Sequence, residues 1–156
     1  MSRFDLNGKV AIVTGGGSGI GKAISLAYAN AGADVVVAAR GAERLEAAAD
    51  EIRGLGRRAL AVSTDVTEPD QVDALIEQTT REMGKVDIMV ANSGGGSSPK
   101  LEDITLEDWE NQIRLNLSSA FLCDVSAGKA MIAQGTGGRI INISSTAGIN
   151  LNPGLP

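Results

Sequence analysis

Residues 14 to 21 read Thr14-Gly15-Gly16-Gly17-Ser18-Gly19-Ile20-Gly21, a set of residue types suited to holding a phosphate group. Glycines leave the backbone uncovered, so several N–H groups can converge on one ligand. The segment before them, Lys9-Val10-Ala11-Ile12-Val13, is short and mostly β-branched, as expected of a strand buried on both faces. Behind them Ile20, Ile24, Ala27 and Ala31 recur at helical spacing. A strand that turns sharply into a helix leaves the first helical amides unpaired, and the helix dipole adds positive potential there. On this reading Gly15 makes the tight turn, Gly19 lets the backbone approach a pyrophosphate, and Gly21 lets helix and strand pack closely. A glycine-rich turn without a ligand is the alternative.

Few other residues could do chemistry at neutral pH. Histidine is absent, and the chain has one cysteine and one tyrosine. That removes Ser-His-Asp and Cys-His catalysis, and no transition-metal site is expected. Cys123 lies in an apolar helical run and reads as an inert buried thiol rather than a nucleophile. Acid–base work would fall to a tuned Tyr, Lys, Asp or Glu. A lone cysteine excludes an internal disulfide framework and fits a reducing, cytoplasmic setting. The net charge of −5, with no basic cluster, argues against nucleic acid as the main partner. No apolar run approaches a membrane span, and the polar start, Met1 to Gly8, lacks a signal-peptide core.

The elements that must position these residues alternate along a chain long enough for one domain. Asp34–Ala39 reads as a second strand, followed by helical spacing at Leu45, Ala48, Ala49, Ile52 and Leu55 that ends in Gly54 and Gly56. Ala59–Ser63 is the third strand. Thr67 is expected to cap the next helix, with Pro69 in its first turn, Val72, Leu75, Ile76 and Thr79 inward, and Gly84 closing it. Val86–Ala91 is the fourth strand, and Asn92–Ser98 a glycine-serine loop. Thr105 and Asp108 resemble a capping box for a long helix with Trp109, Ile113, Leu117 and Phe121 on one stripe. Gly135, Gly137 and Gly138 end that helix, and Arg139–Ser144 is the fifth strand. The alternation predicts an α/β fold: a Rossmann-like doubly wound parallel sheet of order 3-2-1-4-5 in three layers, with ligands where the winding reverses.

The glycine spacing follows TGxxxGxG, and in this the chain resembles the classical short-chain dehydrogenase/reductase family. Five further segments match that pattern, and together with the glycine run they span most of the chain. The resemblance implies cofactor contacts from Thr14, Gly15, Gly17, Ser18, Gly19, Ile20 and Gly21. NAD-binding members end the second strand with an acidic residue; here Ala39 occupies that place and Arg40 directly follows. Its guanidinium suits a 2′-phosphate, with Arg44 assisting, so NADP(H) is preferred and NAD(H) remains open. A solvated arginine ending the strand is the other reading.

Asp65-Val66 stands where the family contacts the adenine, although Asp65 could equally stabilise a turn. Ala91-Asn92-Ser93-Gly94 stands in for the family's Asn-Asn-Ala-Gly. There Asn92 ties strand ends together and Gly94 lets the ribose pass, while Gly95-Gly96 loosens the loop. Asn116 matches an asparagine that perturbs the long helix near the catalytic lysine; a merely exposed amide is the alternative. Gly138-Arg139-Ile140-Ile141-Asn142-Ile143-Ser144-Ser145 matches the fifth strand, and Ser145 the catalytic serine, with Ser144 its neighbour.

One departure matters. The family transfers protons with a Tyr and a Lys four residues apart on one helix, and Tyr28, with Gly32 four residues on, is not that pair. Family spacing from Ser145 puts the tyrosine two residues past Pro156, so Gly148–Pro156 reads as the lead-in loop to the missing helix. The chain is expected to be the N-terminal portion of a longer reductase, similar to 3-oxoacyl-thioester reductases, lacking its C-terminal strands and helices and inactive alone. Ile140, Ile141 and Ile143 would then be poorly covered on an edge strand. A small carbonyl or alcohol substrate and a homo-oligomer are implied for the complete protein. A non-catalytic dinucleotide-binding module, or another Rossmann-like nucleotide enzyme, are the competing readings.

Overall fold

The computed structural model describes residues 4–96 and 99–146. Five parallel strands form one sheet in the order β3-β2-β1-β4-β5, as the alternating pattern predicts. In chain order the elements are β1 (Val10–Thr14), α1 (Gly19–Asn30), β2 (Asp34–Ala39), α2 (Ala42–Gly54), β3 (Ala59–Ser63), α3 (Pro69–Met83) and β4 (Ile88–Ala91). A short 3-10 turn (Leu101–Asp103) leads to α4 (Leu106–Ile113), a π-helical turn (Arg114–Ser118), α5 (Ser119–Ala133) and β5 (Arg139–Asn142).

Strand residues alternate faces, and each face builds its own core. Ala11 and Val13 of β1 join Val35, Val37 and Val90 under α1 and α2, with Leu45 and Ile52. Val10 and Ile12 join Val36, Ala38 and Met89 on the other face, under Leu75 of α3 and Cys123, Ala127 and Met131 of α5. All five β1 residues are buried, which makes this strand the rigid floor on which the glycine run begins.

The expected helix stripes need revision at two places. In α1 the buried residues are Gly21, Ser25 and Ala29, whereas Ile20 and Ala27 are exposed. Helix and sheet approach so closely there that small residues face inward. The expected long helix is divided by the π turn, and Trp109, Leu117 and Phe121 are each about 60% exposed, at 59%, 63% and 64%. That stripe is therefore not core. Among the described residues β5 lies at the sheet edge, paired with β4 alone, and Ile140, Ile141 and Ile143 remain partly exposed, as expected.

Helix ends follow the chemistry of their caps. Thr105 Oγ accepts from the Asp108 amide at 3.1 Å while the Asp108 carboxylate accepts from the Thr105 amide at 3.0 Å, completing the capping box. Thr67 does not cap α3. Glu68 occupies that place ahead of Pro69, because the Thr67 hydroxyl and amide both donate to Asp65. Gly84 closes α3 in the left-handed conformation, which a residue without Cβ adopts at no steric cost.

Candidate functional site

The turn from β1 into α1 is shaped by what its glycines exclude. Gly15 has φ +67°, and a Cβ there would come 2.8 Å from Asn92 Nδ2. A Cβ on Gly21 would overlap the Gly15 carbonyl oxygen and lie 2.6 Å from Asn92 Nδ2. Gly19, at φ +51°, has open space beside it. Ser18 stands at the N-cap of α1 without a side-chain capping bond, so no capping side chain claims the helix's first amides. Open backbone and unclaimed donors at the positive end of a helix dipole suit a diphosphate.

Gly17 faces away from this opening, toward the start of α2, where a Cβ would lie 3.3 Å from the Arg44 backbone. Gly16, which the sequence reading left without a role, is as constrained as its neighbours. A Cβ there would sit 2.8 Å from the Val13 carbonyl oxygen and 2.9 Å from Val37.

Thr14 lies beneath the cleft, buried. Its hydroxyl donates to the Val90 carbonyl at 3.3 Å and accepts from the amides of Asn92 at 2.9 Å and Ser93 at 3.0 Å. Asn92 returns a bond from Nδ2 to the Thr14 carbonyl at 2.9 Å. The carboxyl ends of β1 and β4, which part where the winding reverses, are thereby locked together.

One cleft collects Gly15, Ser18, Gly19, Ile20 and Gly21 with Arg40, Asp65 and Val66 on the β2–β3 side and Asn92, Ser93 and Gly94 on the β4 side. Thr64 and Gly96 also line it; a polar residue at a strand end such as Thr64 is too common to stand out in the sequence, and Gly96 reads there only as loosening the loop. Arg40 is exposed, and its backbone carbonyl accepts from Ser63 Oγ at 3.4 Å. The Asp65 carboxylate is engaged in a turn, accepting from the Thr67 amide at 3.0 Å and hydroxyl at 2.7 Å. Those bonds, the amide first, hold the Asp65 carboxyl below its ordinary range, with the Arg40 charge adding to them. The turn-stabilising reading of Asp65 thus describes its side chain, while its place on the cleft wall stands. Val66 is 5% exposed, its side chain part of the core.

A second cleft of about 680 Å³ adjoins the first and brings Asn116 and Ser145 together with Ile20, Asn92, Ser93 and Gly94. Asn116 sits mid-way along the π turn. An extra residue in the helical repeat re-aims its side chain. Its Oδ1 accepts from the Gly95 amide at 2.9 Å, and its Nδ2 donates to the Gly95 carbonyl at 2.9 Å. Ser145 is exposed, three residues past the end of β5. The expected Asn92–Ser98 loop reaches residues 97–98, and the expected lead-in Gly148–Pro156 falls wholly beyond residue 146; those parts lie outside the described residues.

Tyr28 and Cys123 stand apart from both clefts. Tyr28 packs against the core under α1, and burial raises its phenol above the ordinary value. That is the opposite of what a proton donor near neutral pH needs. Burial first, then the neighbouring Asp124 carboxylate, pushes the Cys123 thiol up to about 12, which makes it inert.

Comparison with known proteins gives a consistent result. Residues 9–156 match the family model described as short chain dehydrogenase. The chain is 43% identical over 150 residues to a 3-oxoacyl-[acyl-carrier-protein] reductase of Synechocystis sp., covering 96% of this chain and 60% of that one. Among solved structures, a short-chain type dehydrogenase/reductase from Mycobacterium marinum superposes with a TM-score of 0.93 at 45% identity, covering 96% and 61% of the two chains. A 7 alpha-hydroxysteroid dehydrogenase complexed with NADH and 7-oxo glycochenodeoxycholic acid gives 0.91 at 38% identity, covering 97% and 58%. The chain therefore spans about three fifths of the length of these relatives.

Proposed function

The chain belongs to the short-chain dehydrogenase family, and from that premise we propose that it binds NADP(H) across the β1 turn. In the whole protein this site would serve hydride transfer between the nicotinamide and a carbonyl or secondary alcohol. The observation that carries the reading is the open, uncapped N-terminus of α1 in one cleft with Arg40. The diphosphate would lie over the amides of Gly19, Ile20 and Gly21. The Arg40 guanidinium would fork onto the 2′-phosphate, with Asp65 and Val66 beside the adenine and Asn92 to Gly94 along the other ribose. The family's substrates are small carbonyl and alcohol compounds, and the lone cysteine of these residues fits a reducing, cytoplasmic setting.

When bound, the nicotinamide supplies the hydride; the protein's part is orientation and the proton. Ser145 would donate a hydrogen bond to the reacting oxygen from the second cleft, and Asn116 would hold the wall between the two clefts. Neither has a proton to lose at neutral pH, and the one tyrosine is on α1 with its phenol raised. These 156 residues alone would bind nucleotide without turnover, which is also what a non-catalytic binding module would do.

Fluorescence titration with NADPH and NADH tests the reading. Tighter NADPH binding is expected. Equal or stronger NADH binding removes the role of Arg40, and binding of neither overturns the proposal. Turnover of a ketone at an ordinary rate would overturn the expected inactivity.

A further inference from the structure

The segment Gly94-Gly95-Gly96 is the shared wall of the two clefts: Gly94 and Gly96 face the first, Gly94 and Gly95 the second. Three consecutive glycines give a chain with little preference of its own, and Gly95 and Gly96 have φ of +134° and +131°. Something outside the segment must hold it. The structure supplies two amides from successive turns of one helix. Asn116 bonds both polar groups of Gly95. Gln112, one turn earlier, lies against Gly96 so closely that a Cβ there would overlap its amide.

The two amides are also coupled. Asn116 Nδ2 donates to the Gln112 side-chain Oε1 at 3.0 Å as well as to the Gln112 backbone carbonyl at 3.0 Å. A primary amide can be turned over, and only one orientation sets Oδ1 against the Gly95 N–H and Nδ2 against the Gly95 carbonyl. The Gln112 Oε1 adds an acceptor on the Nδ2 side, beside the Gln112 and Gly95 backbone carbonyls, and so reinforces the orientation that sets Oδ1 against the Gly95 N–H. We infer that Gln112 is a positioning residue: by orienting Asn116 and filling the space beside Gly96, it fixes the wall between nucleotide and reaction clefts. The nucleotide half of this inference rests on the proposed function; the structural half does not.

Amide hydrogen exchange on the free protein, read by NMR, tests the structural half. Gln112→Leu keeps the bulk and removes the acceptor. Exchange at Gly95 should accelerate by roughly three- to tenfold, the scale of one lost hydrogen bond. The Gly84 amide, bonded to the Thr80 carbonyl far from the site, should not change, which reports that the fold is intact. Gln112→Glu retains an acceptor for Asn116 and should restore Gly95 protection to within about twofold. Unchanged Gly95 exchange in Gln112→Leu, or a Gln112→Glu variant as fast as the leucine variant, overturns the inference.

The nucleotide arm separates position from general weakening. The strand order puts Arg40 and Asp65 to one side of β1 and the glycine segment to the other. Gln112→Leu should therefore weaken NADPH by roughly three- to tenfold and leave adenosine 2′,5′-bisphosphate, which lacks the nicotinamide half, unchanged. Equal weakening of both ligands, or of neither, overturns the assigned role. If the unaltered protein binds no NADPH, the proposed function falls, and Gly95 exchange still decides the role of Gln112.

Discussion

Thr14 and Asn92 hold each other by two hydrogen bonds, backbone amide to Oγ and Nδ2 to backbone carbonyl, both 2.9 Å. With the Ser93 amide on the same hydroxyl, one threonine ties the first strand to the fourth at the point where the cleft opens. Thr14→Val preserves the shape and removes the hydroxyl, leaving two part-buried N–H groups without a partner. Urea unfolding should show a loss of about 2–4 kcal/mol, since each stranded donor costs about 1–3 kcal/mol. Thr14→Ser should recover most of it. A valine variant as stable as the parent would mean the lock does not hold the strands.

The glycine turn should tolerate no side chain where the geometry forbids one. Gly21→Ala must push Gly15 or Asn92 aside, and Gly16→Ala meets the Val13 carbonyl and Val37. Each should cost about 1–3 kcal/mol, the range for overpacking a fitted site, and should abolish measurable NADPH binding. Gly54 ends α2 with open space beside it, so Gly54→Ala should be neutral or stabilising by up to about 1 kcal/mol. Thermal denaturation of the three variants checks the order.

The strand order and most elements are legible in the sequence because each strand of this sheet is a short apolar run bounded by turns. β2 and β3 fall on the expected residues. β1 begins and ends one residue later than the apolar run suggests, because Thr14 pairs with Ala38 and a polar residue there reads as loop. β4 starts later than expected: the Val86 amide is taken by the Gln134 side chain, a partner 48 residues away that no local pattern reveals. β5 stops at Asn142, opposite Ala91 where β4 ends. The π turn around Asn116 has no compositional mark, and only the family pattern pointed to that residue. The inward face of α1, Gly21, Ser25 and Ala29, is not legible in the sequence for a related reason. Apolar spacing selects Ile20 and Ala27, whereas the close approach at Gly21 brings small residues inward.

On the proposed NADP(H) reading Arg40 would carry the cofactor preference, and it is an exposed residue whose charge acts on Asp65 beside the cleft. Arg40→Ala should weaken NADPH by roughly tenfold to a hundredfold, the value of charge-assisted hydrogen bonds to a phosphate. NADH should change by less than about twofold, having no phosphate to lose. Paired titrations read both. Parallel weakening of the two nucleotides would assign Arg40 to shaping the cleft instead.

Asp87 links stability to acidity at the opposite end of the sheet. Its carboxylate is buried, which by itself raises the carboxyl, but the Val10 amide at 2.9 Å, Lys85 at 3.0 Å and Lys9 at 3.4 Å outweigh burial and hold it below its ordinary value. A folded value below the unfolded one means the stabilisation is complete above about pH 4, the ordinary carboxylate value, and is lost as pH falls through the folded value. Asp87→Asn keeps an acceptor for Val10 and cannot titrate. It should be less stable than the parent at pH 7, yet lose less stability on acidification. Asp65 and Asp108, also lowered by their threonine partners, leave a residual acid slope in both proteins. Parallel urea-unfolding curves for parent and variant between pH 7 and pH 3 would show that the charge on Asp87 does not stabilise this fold.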